Sequence, residues 1–161
     1  MNDYAHPKAS PEEVAKRIIS PYKLFKGFQS VTPYIPGRRP FFKYRDLGVK
    51  TATGGKARAN KSDSIASMVE PTGWHYHLCD FQFIFWTKGE IKLEFEDGTV
   101  ATFVAGDTCF IPGGTIHNEI YVSGDKEAIE FSMPGEIGTV NVDRPAHLPA
   151  VLRPVDNAHP E

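Results

Sequence analysis

The sequence predicts a single all-β domain built from antiparallel strands. The chain has 161 residues, a length typical of one domain. Its 13 prolines and 14 glycines separate short runs of aromatic and β-branched residues, a pattern that favours many short strands joined by tight turns. Several of these runs alternate apolar and polar residues, as strands with one solvated face do.

The N-terminal region predicts a short helix followed by an arm. Ser10 and Glu13 form a capping box around a proline at the first helical position, and Pro21 ends the apolar stripe that follows. Prolines and glycines interrupt every run in residues 22–40, which we expect to lie as an arm over the domain. Residues 1–40 are therefore assigned to the helix and the arm.

Residues 41–145 are predicted to form the β domain, and residues 146–161 an extended C-terminal tail. The glycine-led basic segment 54–61 is interpreted as a solvated hairpin, with a mobile loop at a cavity mouth as the alternative. Asp97-Gly98 is a strong hairpin signal. Strands are predicted at residues 41–45, 49–53, 64–70, 74–77, 82–87, 91–96, 99–104, 108–111, 117–122 and 128–133.

Charge and hydropathy exclude several classes of partner. A formal net charge of -2 gives no basic surface for nucleic acid or for an anionic membrane. The chain has no run of about 18 apolar residues and no features of a signal peptide at its N-terminus, so we expect a cytoplasmic protein. Cys79 and Cys109 lie in apolar runs and are predicted to be buried thiols.

Three histidines predict a metal centre. His75 and His77 are two residues apart in a predicted strand, so their imidazoles point to the same face. His117 lies on a later strand, after the turn Pro112-Gly113-Gly114. Neutral imidazole is the commonest protein ligand for first-row metals. The alternative interpretation, a pair of polar surface residues, does not account for the third histidine.

These segments resemble the two motifs of the cupin superfamily. The first motif has a glycine, H-x-H, a glutamate and a second glycine, and the second motif has the form G-x5-P-x-G-x2-H-x3-N. The resemblance covers residues 41–133 and departs from the family in three places. Gly73 lies closer to the histidines than the family's first glycine usually does, Gln82 replaces the glutamate, and Tyr121 stands where the asparagine is expected. The matching positions are Gly73, His75, His77, Gly89, Gly106, Pro112, Gly114 and His117.

The resemblance implies a cupin-type antiparallel β-barrel of the jelly-roll type, with the histidines inside its mouth. Members of the superfamily are commonly dimers, so it also implies a homodimer, with residues 22–40 as a candidate for exchange between subunits. Its metal would be one divalent transition metal. Iron is the expected metal, and manganese, nickel or zinc would also suit these ligands.

Gln82 determines the charge of the predicted centre. A glutamate ligand would cancel one unit of the charge on a divalent metal, whereas the Gln82 amide is neutral. A centre of three imidazoles and one amide favours an anionic ligand and, for iron, the ferrous state. Alternatively, Gln82 forms a hydrogen bond to a histidine or a water molecule and leaves a three-histidine site.

Glu119 is a candidate catalytic residue. It lies two residues after His117, so on a regular strand it faces the same cavity. Its carboxylate would act as a general base or as a further ligand. A bulge directly after His117 would instead turn Glu119 outward.

Three functions are consistent with this site. The first is a mononuclear non-haem iron dioxygenase that acts on a small anionic or enolisable substrate. The second is an isomerase or lyase that uses manganese, zinc or nickel as a Lewis acid. The third is a small-ligand-binding protein with a metal but no catalysis. The fold alone does not distinguish them.

Overall fold

The structure, a computed structural model, describes residues 8–155 and contains two six-stranded β-sheets. The first sheet has the order β1-β2-β3-β10-β5-β8 and the second the order β11-β4-β9-β6-β7-β12. The elements are α1 (Pro11–Ala15), β1 (Ile35–Pro36), β2 (Phe42–Asp46), α2 (Val49–Thr53), β3 (Arg58–Ser64), β4 (His75–Leu78), β5 (Phe81–Lys88), β6 (Glu90–Phe95), β7 (Thr99–Val104), β8 (Thr108–Pro112), β9 (His117–Val122), β10 (Glu127–Met133), β11 (Gly138–Asn141) and β12 (Arg153–Pro154).

The two sheets pack face to face around one apolar core. Neighbouring strands are antiparallel except for β12, which is parallel to β7. Within the described residues, no strand pairing joins the two sheets, so the sheets of the predicted jelly-roll barrel do not close into a barrel. Both sheets contribute to the core, which contains Phe41, Phe42, Ile84, Trp86, Ile91, Leu93, Ile111, Val122 and Ala128. The arrangement agrees with a jelly roll.

The alternation within the strand predicted at residues 82–87 directs Gln82, Ile84 and Trp86 inward and Phe83 and Phe85 outward, and β5 has this pattern. Gln82 and Trp86 are buried, and Trp86 stacks on Phe103 with 4.4 Å between the ring centroids. Phe83 and Phe85 point outward and are each 37% exposed. Because the strand places successive side chains on opposite faces, this register directs Gln82 to the interior.

Residues 49–53 form a helical turn, α2, and the predicted strand there is wrong. Gly48 and Gly54 flank the turn with φ values of 81° and 63°. This left-handed conformation is open to glycine at little cost and interrupts an extended chain on both sides. The β-branched residues between the glycines are too few to overcome these two breaks.

Strand β3 ends at Ser64, where the sequence predicted a strand to begin, and residues 65–70 are not in a strand, so the predicted strand at 64–70 is wrong. Arg58 to Lys61 belong to β3 and pair with β10, and Asn60 and Lys61 also pair with β2 on the other side. The predicted solvated hairpin at 54–61 is therefore wrong in its second half. Its polar residues occupy a central strand because every second side chain faces a polar cavity.

Helix α1 is shorter than the apolar stripe suggested. The capping box at Ser10 and Glu13 is present, but the helix ends at Ala15. Beyond the helix, Ile18 is 99% exposed and Ile19 is 74% exposed, so neither side chain is buried against other residues of the range 8–155. Among the same residues, no helix is long and apolar enough to cross a membrane.

The C-terminal segment packs on the second sheet as far as it is described. Leu148 and Leu152 are buried against Trp74, and β12 lies beside β7. The remainder of the predicted tail, residues 156–161, lies outside the described residues.

A close backbone contact joins the two segments that carry the histidines. The Gly113 amide donates to the Asp80 carbonyl at 2.9 Å, and the Gly114 amide donates to the His77 carbonyl at 3.1 Å. A Cβ atom at Gly113 would overlap the Cys79 carbonyl, whereas one at Gly114 would meet nothing within 4 Å. The turn before His117 is therefore held directly against the chain that follows His77.

Gly113→Ala is expected to lower the free energy of unfolding more than Gly114→Ala does. The first change forces the two backbones apart, whereas the second only places alanine in a left-handed conformation (φ of 83°), which costs roughly 1–2 kcal/mol. Urea denaturation of both variants measures the difference. Equal losses of stability would show that the contact at Gly113 does not constrain the fold.

Candidate metal centre

Three imidazoles converge at one end of the second sheet. His75 and His77 lie on β4, and His117 begins β9 as the register partner of His75. The ring centroids of His75 and His117 are 4.4 Å apart, and each lies 5.2 Å from that of His77. One ring nitrogen from each histidine lies within 4.8 Å of the other two. The structure therefore brings the three predicted ligands together.

Hydrogen bonds fix the orientation of the rings. The Nδ1 atom of His75 lies 2.8 Å from the Gly73 carbonyl, and that of His117 lies 2.9 Å from the Thr115 carbonyl. A carbonyl oxygen only accepts, so Nδ1 carries the proton in both rings and Nε2 keeps a free lone pair. The Nδ1 atom of His77 lies 3.0 Å from Thr139 Oγ1. Such bonds are the usual support of metal-ligating histidines.

The surroundings keep the three imidazoles neutral. Burial lowers the pKa of His75 and of His117. Burial, with further contributions from His117 and His75, lowers the pKa of His77 to about 3. Neutral imidazole is the form that binds metal. The donor set and its tautomers therefore fit a divalent transition metal.

Gln82 reaches the same cavity from the first sheet. It is 8% exposed and lies with His75 and His77 in the cavity lining. Its Nε2 atom donates to Glu130 Oε2 at 3.4 Å. This bond leaves the amide oxygen, the atom that would bind a metal, without a hydrogen bond among residues 8–155.

Glu119 also lines this cavity. It pairs with Leu93 on β6, and the register shift of β9 lies beyond it, between the pairs Leu93–Glu119 and Lys92–Tyr121. The alternation from His117 to Glu119 is therefore intact, because the bulge comes after both residues. Burial raises the pKa of Glu119, while the positive charge of Lys126 opposes the rise.

The sequence analysis missed several polar residues of the cavity. The space is about 270 Å³ and receives side chains from the arm, from the first sheet and from β11. The alternation of Glu130 and Ser132 with Ile129 and Phe131 was the one available signal, but the predicted strand at residues 128–133 was given no polar face toward a cavity. The missed polar residues are Arg38, Arg39, Tyr44, Arg58, Asn60, Thr72, Glu130 and Thr139.

A buried lysine closes the inner end of the cavity. Lys126 is 2% exposed and donates to the Ser62 hydroxyl at 2.7 Å and to the Ser62 carbonyl at 3.2 Å. Burial lowers the pKa of Lys126, and the negative charges of Glu130 and Glu119 oppose this shift. These two carboxylates therefore have a cation beside them before any ligand binds.

Both cysteines are free thiols and neither belongs to the group of three histidines. Cys109 lies next to the core, and burial raises its pKa to about 11. Burial also raises the pKa of Cys79, with a smaller contribution from Asp80. Both thiols therefore hold their protons at neutral pH, which makes them poor ligands and poor nucleophiles.

No protein-family model matches the chain, and no curated protein matches it by sequence. Solved structures do match. The polyketide cyclase RemF from Streptomyces resistomycificus is 17% identical with a TM-score of 0.60, and the match covers 77% of this chain and 89% of RemF. An RmlC-like cupin from Shewanella frigidimarina is 17% identical with a TM-score of 0.53, covering 70% of this chain and 93% of that one.

The iron(II) form of HppE is a further similar structure. It is 17% identical with a TM-score of 0.56, and the match covers 68% of this chain and 60% of HppE. Identities at this level show a common fold and nothing finer. The similarity to cupins that the sequence motifs indicated is thus confirmed at the level of the fold.

His77→Ala is expected to lose most of the bound metal, because it removes one of three converging ligands. Cys79→Ala is the matched control. It lies two residues further on, outside the histidine group, and should keep its metal. Elemental analysis of both purified proteins measures the metal-to-protein ratio. Equal metal content in the two variants would overturn the ligand assignment.

Gln82→Glu is expected to make the stability of the protein more dependent on metal. The new carboxylate loses the bond to Glu130 and places a like charge about 3.4 Å from it, which destabilises the metal-free protein. A divalent ion supplies the countercharge. The rise in melting temperature on adding zinc should therefore exceed that of the wild type, and an equal rise would place residue 82 away from the metal.

Proposed function

We propose that this chain, which has the cupin fold, is a metal-dependent enzyme that acts on a small anionic or enolisable organic substrate. One observation carries the proposal. His75 and His77 line a cavity of about 270 Å³ with the carboxylates of Glu119 and Glu130, and His117, the third neutral imidazole, lines the adjoining inner space beside the same two carboxylates. Metal ligands and acid–base groups around one enclosed space are the usual components of a metalloenzyme site.

His75, His77 and His117 would hold the metal, with Gln82 as a fourth ligand. All four side chains are neutral, so the ligands leave the full charge of a divalent ion uncompensated. Such an ion supplies a Lewis acid that stabilises negative charge on a substrate oxygen. Iron, manganese, nickel and zinc all suit a histidine-rich site.

Glu119 would move the proton. Its raised pKa brings the carboxyl group closer to neutral pH, where a general acid or base works best. The Thr72 hydroxyl accepts a hydrogen bond from the Glu119 amide at 3.1 Å, and the Thr72 amide donates to the Glu119 carbonyl at 3.0 Å. These bonds hold the backbone of Glu119, so its carboxylate faces the substrate in a fixed position.

Tyr44 and the apolar lining would limit the access of water. Burial raises the pKa of Tyr44, and the charges of Glu130 and Glu119 raise it further, so its phenol stays protonated at neutral pH and is available as a hydrogen-bond donor to a substrate. Ile35, Phe42 and Ile137 complete the wall. A small carbon skeleton fits against these side chains, and its oxygen atoms face the polar ones.

A non-redox reaction by proton transfer, as in an isomerase or lyase, suits this geometry best. It uses the two carboxylates of the cavity, whereas oxidation needs neither of them. A mononuclear non-haem iron dioxygenase is the second candidate. It is favoured by the neutral Gln82, since a centre without an anionic ligand stabilises ferrous iron, and an iron(II) protein is among the similar structures.

Glu119→Gln is expected to keep its metal and to lose proton-transfer activity by roughly 10²–10⁴-fold. The measurement is exchange of the α-proton of small diketones and enols in D₂O, followed by NMR. Glu70→Gln, at an exposed position, is the control and should retain the wild-type rate. An unchanged rate in Glu119→Gln would remove Glu119 from the mechanism.

Oxygen consumption separates the two reaction classes. Protein purified without added metal is analysed for its metal and is then mixed with the same enols and with catechols. Deuterium exchange without oxygen consumption supports proton transfer. Near-stoichiometric iron with substrate-dependent oxygen consumption would instead establish the dioxygenase, and the absence of both activities would favour a ligand-binding protein.

A further inference from the structure

Three arginines line the cavity together with the histidines. Arg38 and Arg39 follow β1, and Arg58 begins β3. None of the three forms an ion pair within residues 8–155. Arg39 donates to the Thr72 carbonyl, whereas Arg38 and Arg58 have no hydrogen-bond acceptor in this part of the chain.

The three arginines carry more positive charge than the two carboxylates of the cavity need, because Lys126 already balances one of the two. Lys126 lies at the inner end with Glu119 and Glu130, and its charge already acts on both of them. The outer part of the cavity therefore has an excess of positive charge.

The strand register gives the distance between Arg58 and Gln82. Arg58 pairs with Ser132 on β10, and Ser132 pairs with Gln82 on β5. Neighbouring strands lie about 4.8 Å apart, so the Cα atoms of Arg58 and Gln82 are roughly 10 Å apart. The side chain between them is a serine, the smallest polar one, which leaves room for a ligand above it.

Two buried polar atoms in this row have no partner. The Nε atom of Arg58 and the Oγ atom of Ser132 are buried, and neither has a hydrogen bond among the described residues. Buried polar groups are nearly always hydrogen-bonded in native proteins. A guanidinium group with a buried, unpaired N–H next to an open cavity is a site to which an anion adds the missing acceptor.

We propose that Arg58, with Arg38 and Asn60, binds a carboxylate of the substrate at the end away from the metal ligands. This inference rests on the proposed function, since the other end of the substrate lies at the histidines. Asn60 lies two residues after Arg58 on the same face of β3 and also lines the cavity. A planar carboxylate matches the fork of a guanidinium group, and Glu119 and Glu130 disfavour a more highly charged anion.

The substrate is therefore bifunctional. One end carries an oxygen group suited to a metal, the other end carries a carboxylate, and a chain of a few carbon atoms joins them. The strand spacing limits the length of this carbon chain. The Cα atoms of Arg58 and Gln82 are roughly 10 Å apart, and the substrate has to fit between the ends of these two side chains. Ile35 and Phe42 contact the carbon chain.

Two acids of equal length test the proposal by isothermal titration calorimetry on zinc-loaded protein. The probes 2-oxoglutarate and 2-oxopentanoate share the same 2-oxo acid end, and only the first has a distal carboxylate. The wild type should bind 2-oxoglutarate at least about tenfold more tightly. In Arg58→Gln this preference should disappear, while the affinity for 2-oxopentanoate stays within about twofold.

Arg45→Gln is the matched control. Arg45 also lies in the first sheet and also has a buried Nε atom without a partner, but it does not line the cavity. This variant should keep the preference. If Arg58→Gln does not fold, Arg38→Gln replaces it, because Arg38 is exposed on the arm and its loss should weaken 2-oxoglutarate binding several-fold.

The outcomes separate this proposal from the proposed function. Equal affinity for the two acids, binding of neither, or a preference that survives in Arg58→Gln would overturn the carboxylate site even with zinc fully bound. If the wild type binds no zinc, the proposed function fails, and glutarate and pentanoate are then compared on the metal-free protein. Binding of glutarate that depends on Arg58 would still support the carboxylate site, and its absence would overturn it.

Discussion

The candidate site depends on the pairing of β4 with β9, which sets His75 opposite His117. Three imidazoles from two distant segments converge only if these strands meet in this register, because a shift by one residue would turn a ring to the other face. The contact of Gly113 with the backbone after His77 enforces the register from outside the sheet. Glycine is required there because the neighbouring carbonyl occupies the position of a side chain.

The sequence predicted those parts of the fold and site that depend on local patterns. The alternation along residues 82–86 placed Gln82 inside and Phe83 outside, and the structure agrees. The two-residue spacing of His75 and His77 placed both on one face for the same reason. A period of two follows from the geometry of a single strand, so it needs no knowledge of which strand lies beside it.

The sequence could not predict features that depend on what lies beside each strand. On β10, Glu130 lines the cavity and Ser132 is buried on the same face, while Ile129 and Phe131 face outward, the reverse of a strand whose polar face is solvated. The same alternation of polar and apolar residues occurs in both cases, since polar side chains are favoured both in a polar cavity and in solvent. Arg58 and the neighbouring residues of β3 were therefore assigned to a solvated segment.

The separation of the histidines along the chain has a consequence for folding. Roughly 40 residues lie between the two histidine segments, and they form β5 to β8. A contact across such a loop forms after local hairpins such as the one joining β6 and β7, because closing a longer loop costs more chain entropy. His117 therefore stays apart from His75 and His77 until folding is nearly complete. A metal ion would bind the finished chain and shift the folding equilibrium by mass action, without directing the early steps.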